Sequence, residues 1–303
     1  MSPLLAVPNV SEGRDPGAIA AIVAAATAEF VPPARDGFKA GRVRVLDIHT
    51  DPDHNRTVIT LTAGPGELAA ALTAIAAAAI ERIDVRHHEG VHPRVGAIDV
   101  APIVFTTPED RGAACAEALL AADRLADELN LPVFLYGLLT DGLRTRAEVR
   151  RGGIEALAAR IVAGELTPDF GPRRLHETAG AVLVAARPPL VAFNVELAPP
   201  ATLADAKRIA ALIRESGPEG LPGVRALGVH LAARDAAQIT TNIEDPVATS
   251  PAELIEAIRR HARPARAELV GLAPATALEG LPPDVPVANR RTIEDALRAS
   301  LSD

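Results

Sequence analysis

The sequence has no tryptophan, one tyrosine, one methionine and one cysteine, and its only lysines are Lys39 and Lys207. Each scarcity excludes something. Aromatic residues are 2% of the chain, six of them Phe, too few for the stacking platforms on which RNA and single-stranded DNA are read. With 39 acidic against 31 basic residues the net charge is -8, so a phosphate backbone meets no overall attraction. The single cysteine, Cys115, forbids an intrachain disulfide and a multi-cysteine zinc site. Its neighbours, Ala113, Ala114 and Ala116, read as the buried face of a helix, where a thiol is a small core side chain. No run is long enough to span a membrane: the longest uncharged alanine-rich stretch, 68–80, ends at Glu81-Arg82. The first residues carry neither a basic region nor a signal-length apolar run. The expectation is a globular protein of the reducing cytoplasm that binds neither nucleic acid nor membrane.

What is present is mixed α and β. Hydrophobic residues make up 48% and charged residues 23% of 303, enough for two domains of ordinary size. Short β-branched runs alternate with long Ala/Leu helical patterns. Strands are predicted at 5–10, 43–48, 57–62, 99–105 and 133–136, with helices at 16–28, 67–83, 108–129 and 146–163. The turn-rich Pro168-Asp169-Phe170-Gly171-Pro172 follows as a natural boundary. Beyond it a similar order returns, and Val43-Arg-Val-Leu-Asp-Ile-His49 resembles Val224-Arg-Ala-Leu-Gly-Val-His230. This repeat predicts an α/β chain, more narrowly α+β. It has two ferredoxin-like subdomains, 1–177 and 178–303, of mixed sheets packed with helices around a cleft.

Chemistry concentrates in the first half, where five of the eight histidines fall between His49 and His92. In Asp47-Ile-His49-Thr-Asp51-Pro-Asp53-His54-Asn55-Arg56, alternation puts Asp47, His49 and Asp51 on one strand face. A metal-dependent hydrolase built on Asp47, His49 and Asp53 is one option, a polar turn the other; the glycine and glutamate of an EF-hand are missing. The second cluster, 86–97, is a Gly-rich loop with three histidines and two arginines, suited to acid–base work on an anion. Gly64-Pro-Gly-Glu-Leu-Ala69 matches a dinucleotide fingerprint, but Pro65 removes a donor and Glu67 repels phosphate, so a plain helix start is preferred. The third segment, 168–180, reads as a linker or as a ligand-covering strip.

At these residues the chain resembles the formiminotransferase family of glutamate formimidoyltransferases, in its stand-alone form. The motifs are Val7-Pro-Asn-Val-Ser-Glu-Gly13, Asn55-Arg-Thr57, Gly90-Val-His-Pro-Arg-Val-Gly-Ala-Ile-Asp-Val100, Pro132-Val-Phe-Leu-Tyr-Gly137, Pro168-Asp-Phe-Gly-Pro172 and Val191-Ala-Phe-Asn194. Gly220-Leu-Pro-Gly-Val224, Asn242 and Val270-Gly-Leu272 continue the family's order. The resemblance implies a homodimer and transfer of the formimidoyl group of N-formimidoyl-L-glutamate to N5 of tetrahydrofolate. Tetrahydrofolate is then a co-substrate, and no metal is required. The family's catalytic histidine falls on His92, and its folate-binding segment on Gly171-Pro172-Arg173-Arg174-Leu175-His176-Glu177-Thr178-Ala179-Gly180. Val91 stands where the animal enzymes carry Glu, and the chain has no room for their cyclodeaminase domain. On this reading His49 or Asp47 orients His92, Arg56 and Arg94 hold carboxylates, and Asn9, Ser11 and Glu12 orient pterin or formimidoyl nitrogens. Arg56, Arg86, Arg94, Arg173 and Arg174 are expected to gather positive potential around the substrates. A formyl donor or a non-catalytic folate-binding role are the alternatives.

Overall fold

A computed structural model describes residues 3–27 and 43–301. Lys39 and the predicted end of the first helix at residue 28 lie outside them. Contacts divide the chain into two compact units, Met1–Pro188 and Pro189–Asp303.

The first unit runs β1 (Leu4–Ala6), β2 (Asn9–Val10), α1 (Pro16–Thr27), β3 (Arg44–Asp51), β4 (Arg56–Ala63), α2 (Glu67–Arg82) and β5 (Ile98–Val104). It continues through α3 (Arg111–Leu129), β6 (Val133–Leu135), α4 (Arg146–Arg150), α5 (Gly153–Val162) and β7 (Val182–Arg187). β1 and β2 are one strand interrupted at Val7-Pro8, since both lie antiparallel between β4 and β5. The sheet order is β3-β4-(β1, β2)-β5-β7-β6, with β5, β7 and β6 parallel. The second unit has β8 (Val191–Leu197), α6 (Leu203–Ile213), β9 (Val224–Leu231), β10 (Ala236–Ile243), α7 (Pro251–Arg259), β11 (Pro264–Val270), β12 (Val287–Ala288) and α8 (Ile293–Ser300). Its sheet order is β9-β10-β8-β11-β12.

Each unit contains a βαββαβ motif whose fourth strand lies beside the first, the first beside the third and the third beside the second. That is the ferredoxin-like arrangement the repeat implied. The sequence-based border after residue 177 would cut β7 from its sheet. β7 instead pairs in parallel with β5 and β6, which carries the first unit to Pro188.

Burial distinguishes the two faces of the first sheet. α1, α2 and α3 bury one face of the first sheet through Ile22, Leu68, Leu72, Ile75, Ala118 and Leu125. α4 and α5 cover the opposite face only at β5, β6 and β7, where Val100, Phe134 and Leu183 pack on Val149 and Leu157. β5 is buried along its whole length, as a strand covered on both faces must be. The β3–β4 hairpin lies outside that second cover, and its face away from α1 and α2 is polar. The predicted long helix 146–163 breaks into α4 and α5 at Gly152 and Gly153, both at φ near +80° (79° and 78°), which only glycine adopts without strain. The break leaves Arg146 and Arg150 on a five-residue helix beside this polar face.

Candidate active site

The hairpin of β3 and β4 builds the site's first wall. Its turn, 52–55, ends on Asn55 at φ 48°. Asp51 shapes the turn: one carboxylate oxygen accepts from the backbone N–H groups of Asp53 (2.8 Å) and His54 (2.9 Å), the bond pattern of an Asx turn. The other oxygen lies 2.8 Å from His54 Nδ1. Burial opposes ionisation of Asp51, but the bonds and charge of His54 outweigh it and lower the carboxyl to about 2. Asn55 locks the turn to its neighbours, accepting from Gly13 N–H at 2.8 Å and donating to the Glu89 carbonyl at 2.9 Å. His88 Nε2 donates to the Asn55 carbonyl at 2.9 Å. Gly13 and Gly90 press so closely on the turn that an added Cβ would come 2.4 Å from Asp51 O and 2.5 Å from His54 O respectively.

The second wall is the loop 86–97. His92 is half-buried, and its Nδ1 donates to the Pro93 carbonyl at 2.7 Å. That bond leaves the lone pair on Nε2, which accepts from Arg56 Nη1 at 2.8 Å. Burial first, then the cationic neighbours Arg56 and Arg150 and the nearby His54, hold the imidazole well below its ordinary pKa, only partly opposed by Pro93. Arg56 itself is lowered to about 10 by burial and by Arg150. His92 is therefore a neutral imidazole beside a guanidinium that has no carboxylate partner among the described residues.

The third wall comes from β5 and α4. Asp99 is the extra residue of a β-bulge, opposite the step from Asn9 to Val10. Its carboxylate accepts from Val95 N–H at 2.8 Å and pairs with Arg150. Arg146 lies over the Tyr136 ring, 5.8 Å from its centroid. Around this space several buried polar atoms have no partner, among them Asn9 Oδ1, His54 Nε2, Arg56 Nε and the Tyr136 hydroxyl.

The comparisons with known proteins bear on this geometry. Residues 4–187 match the family model "Formiminotransferase domain, N-terminal subdomain", and residues 192–280 match "Formiminotransferase domain". The chain belongs to the formiminotransferase family. It is 36% identical over 284 residues to the glutamate formimidoyltransferase of Streptococcus pyogenes serotype M1, covering 90% of this chain and 89% of that one. It is 33% identical to the enzyme of the same name from Thermoplasma acidophilum, covering 92% and 90%. The formimidoyltransferase-cyclodeaminase of Rattus norvegicus is 36% identical, with 90% of this chain matching 50% of that longer protein.

The structure of this formiminotransferase chain brings some of the predicted residues together and not others. His92, Arg56 and the buried Asn9 share the polar space. Asp47, His49 and Asp51 share one buried strand face, as alternation required. His92 is bonded to Pro93 through Nδ1 and to Arg56 through Nε2. Ser11 is committed to the Gly96 carbonyl (2.8 Å), and Glu12 to the N–H groups of Arg14 and Asp15 (2.7 and 2.9 Å). Arg94 clips the carbonyls of His88 and Gly90 in its own loop. No group of three His, Cys, Asp or Glu suited to a metal ion occurs among the described residues.

The expected gathering of arginines needs correction. Arg86 is bound by Asp84 and Glu177, and Arg173 and Arg174 are exposed. The positive charge felt at His92 comes from Arg56 and Arg150, and Arg150 arrives from a segment that sequence reasoning passed over.

Segment 171–180 forms a tight loop. Gly171 (φ 79°) fits against Leu131 O, and His176 and Gly180 exchange backbone hydrogen bonds. His176 Nδ1 accepts from Ala179 N–H, Leu175 packs on the α4–α5 cluster, and Thr178 O accepts from Val85 N–H. Glu177 is tied to Arg86, while Pro172 is half-buried. The dinucleotide-like turn is a helix start: buried Glu117 caps α2, accepting from Gly66 and Ala69 N–H at 2.6 and 2.8 Å.

Proposed function

We propose that the protein transfers the formimidoyl group of N-formimidoyl-L-glutamate to N5 of tetrahydrofolate, releasing glutamate, with His92 moving the proton. The observation that carries this reading is the His92–Arg56 contact, a neutral imidazole 2.8 Å from a guanidinium with no carboxylate partner among the described residues. N5 attacks the formimidoyl carbon and forms a tetrahedral centre. The proton shed by N5 passes to Nε2, and the departing glutamate nitrogen gains one. A depressed pKa keeps Nε2 unprotonated at neutral pH, as a base must be.

Arg56 covers Nε2 in the free protein. A substrate carboxylate offers the guanidinium a charged, bidentate partner, and drawing it away uncovers the lone pair. Arg173 and Arg174, exposed and without an ion-pair partner among the described residues, are suited to the glutamyl carboxylates of folate. The reaction moves a group without net oxidation, so it calls for no redox cofactor, and with His92 as the base the reading invokes no metal. A homodimer is the assembly in keeping with this reading.

Mixing the protein with N-formimidoyl-L-glutamate and tetrahydrofolate tests it: 5-formimidoyltetrahydrofolate is the expected product. Product from N-formylglutamate alone would make the protein a formyltransferase, and folate binding without turnover from either donor would leave it a folate-binding protein.

A further inference from the structure

His54 has no part in the mechanism above, and its placement asks for one. It sits at 6% exposure in the β3–β4 turn, with Nδ1 bonded to Asp51 at 2.8 Å and Nε2 buried without a partner. Its ring centroid lies 6.1 Å from that of His92, at an interplanar angle of 54°. The turn does not need this dyad. The matching turn between β9 and β10 joins Leu231 to Ala236 in the same register and ends on Asp235 at φ 47°, with Leu231 in the place of Asp51 and Arg234 in that of His54. Closing the turn therefore does not explain an imidazole whose second nitrogen is buried and unsatisfied.

We propose that the Asp51–His54 dyad is the site's proton donor, complementing His92 as the base. The assignment rests on the formimidoyl-transfer reading. The charged and titratable groups set about the two rings are Asp51 on β3, Arg56 on β4 and Arg150 on α4. They divide the work: Arg56, Arg150 and a charged His54 oppose charge on His92, while a carboxylate lies against His54 Nδ1. In the step, the N5–carbon bond forms and the N5 proton goes to His92 Nε2. The carbon–nitrogen bond to glutamate breaks, and that nitrogen takes the proton from His54 Nε2. One proton is gained and one lost, and exchange with water resets the pair.

The experiment compares the full chain with His54→Gln and Asp51→Asn, reading kcat and KM against pH and, in the free protein, the ring nitrogen NMR signals of both histidines. Asp51→Asn keeps an oxygen acceptor for the two turn N–H groups and so guards against a merely unfolded His54 variant. His54→Gln is expected to lower kcat roughly a hundredfold or more, with KM for N-formimidoylglutamate within about threefold, and to remove the alkaline limb of the kcat profile. Asp51→Asn should lower kcat by a smaller factor, with KM again nearly unchanged. A His54→Gln protein that folds, turns over normally and keeps its alkaline limb overturns the assignment and leaves His92 untouched. Wild-type protein inactive with N-formimidoylglutamate would overturn the function reading instead, and the dyad's role with it.

Discussion

The two hairpins, β3–β4 and β9–β10, have the same backbone and opposite chemistry. Both join eight-residue strands through four turn residues, and both place the last of these in the left-handed region, Asn55 at φ 48° and Asp235 at φ 47°. In the first, Asp51, His54, Asn55 and Arg56 are buried or half-buried and bonded into the site. In the second, Leu231, Arg234, Asp235 and Ala236 occupy those places; exposed Asp235 meets the half-buried His230 at 3.0 Å and Arg234 pairs with Glu196 at 2.8 Å. The lesson is that a duplicated βαββαβ backbone sets the turn, while the loops packed on it decide whether its polar side chains are buried and bonded. Gly13 and Gly90 press on the first turn from two sides.

The largest test of this asymmetry is His92→Ala, expected to lower turnover by roughly 10²–10⁴ while folate binding, read by calorimetry, persists. A variant with a near-native rate would return the two hairpins to equal standing. Next comes support from β5. Asp99→Asn leaves Arg150, 11% exposed, without its carboxylate, and should cost about 3 kcal/mol in urea unfolding. Glu244→Gln, just past the second hairpin, removes one of the two carboxylate partners of exposed Arg225 and should change stability by no more than a few tenths of a kcal/mol.

Arg56→Gln probes charge. Removing the cation raises the His92 pKa, so the unprotonated base is lost at a higher pH and the acid limb of kcat/KM moves upward. KM for the donor should rise roughly tenfold with the loss of a charge-assisted contact. An unmoved acid limb would separate Arg56 from His92. The smallest effect sharpens the comparison most directly. Asp235→Gly should change stability by only a few tenths of a kcal/mol, because glycine accepts its positive φ. Asn55→Gly loses the bonds to Gly13 and Glu89 and should cost about 1–2 kcal/mol, measured side by side.

Much of this was legible in the chain. Alternation placed Asp47, His49 and Asp51 on one face, and the order of strands and helices predicted the paired ferredoxin-like motifs. The repeat was misaligned at one point, matching His49 to His230. A bulge between Val45 and Asp47 shifts the register by one residue, so that His49 takes the place of Val229, while Val45 takes that of Ala226. No local pattern announces such a bulge, nor the second one that re-aims Asp99. The Asp51–His54 clip lay within three residues but read as an ordinary polar turn, because an Asx turn and a dyad share their spacing.

The scarcities with which the chain presents itself, few aromatics and almost no lysine, do leave anion binding to arginine. Composition and periodicity are local, and they determined the class of fold, the hairpins, the glycine-rich loop and the residue types available to the site. Which arginine serves was a tertiary decision. Arg86, close to His92 in sequence, is neutralised by Asp84 and Glu177, while Arg56 and Arg150 reach it from a neighbouring strand and a distant helix. Electrostatic interaction follows distance in space, and only packing sets that distance.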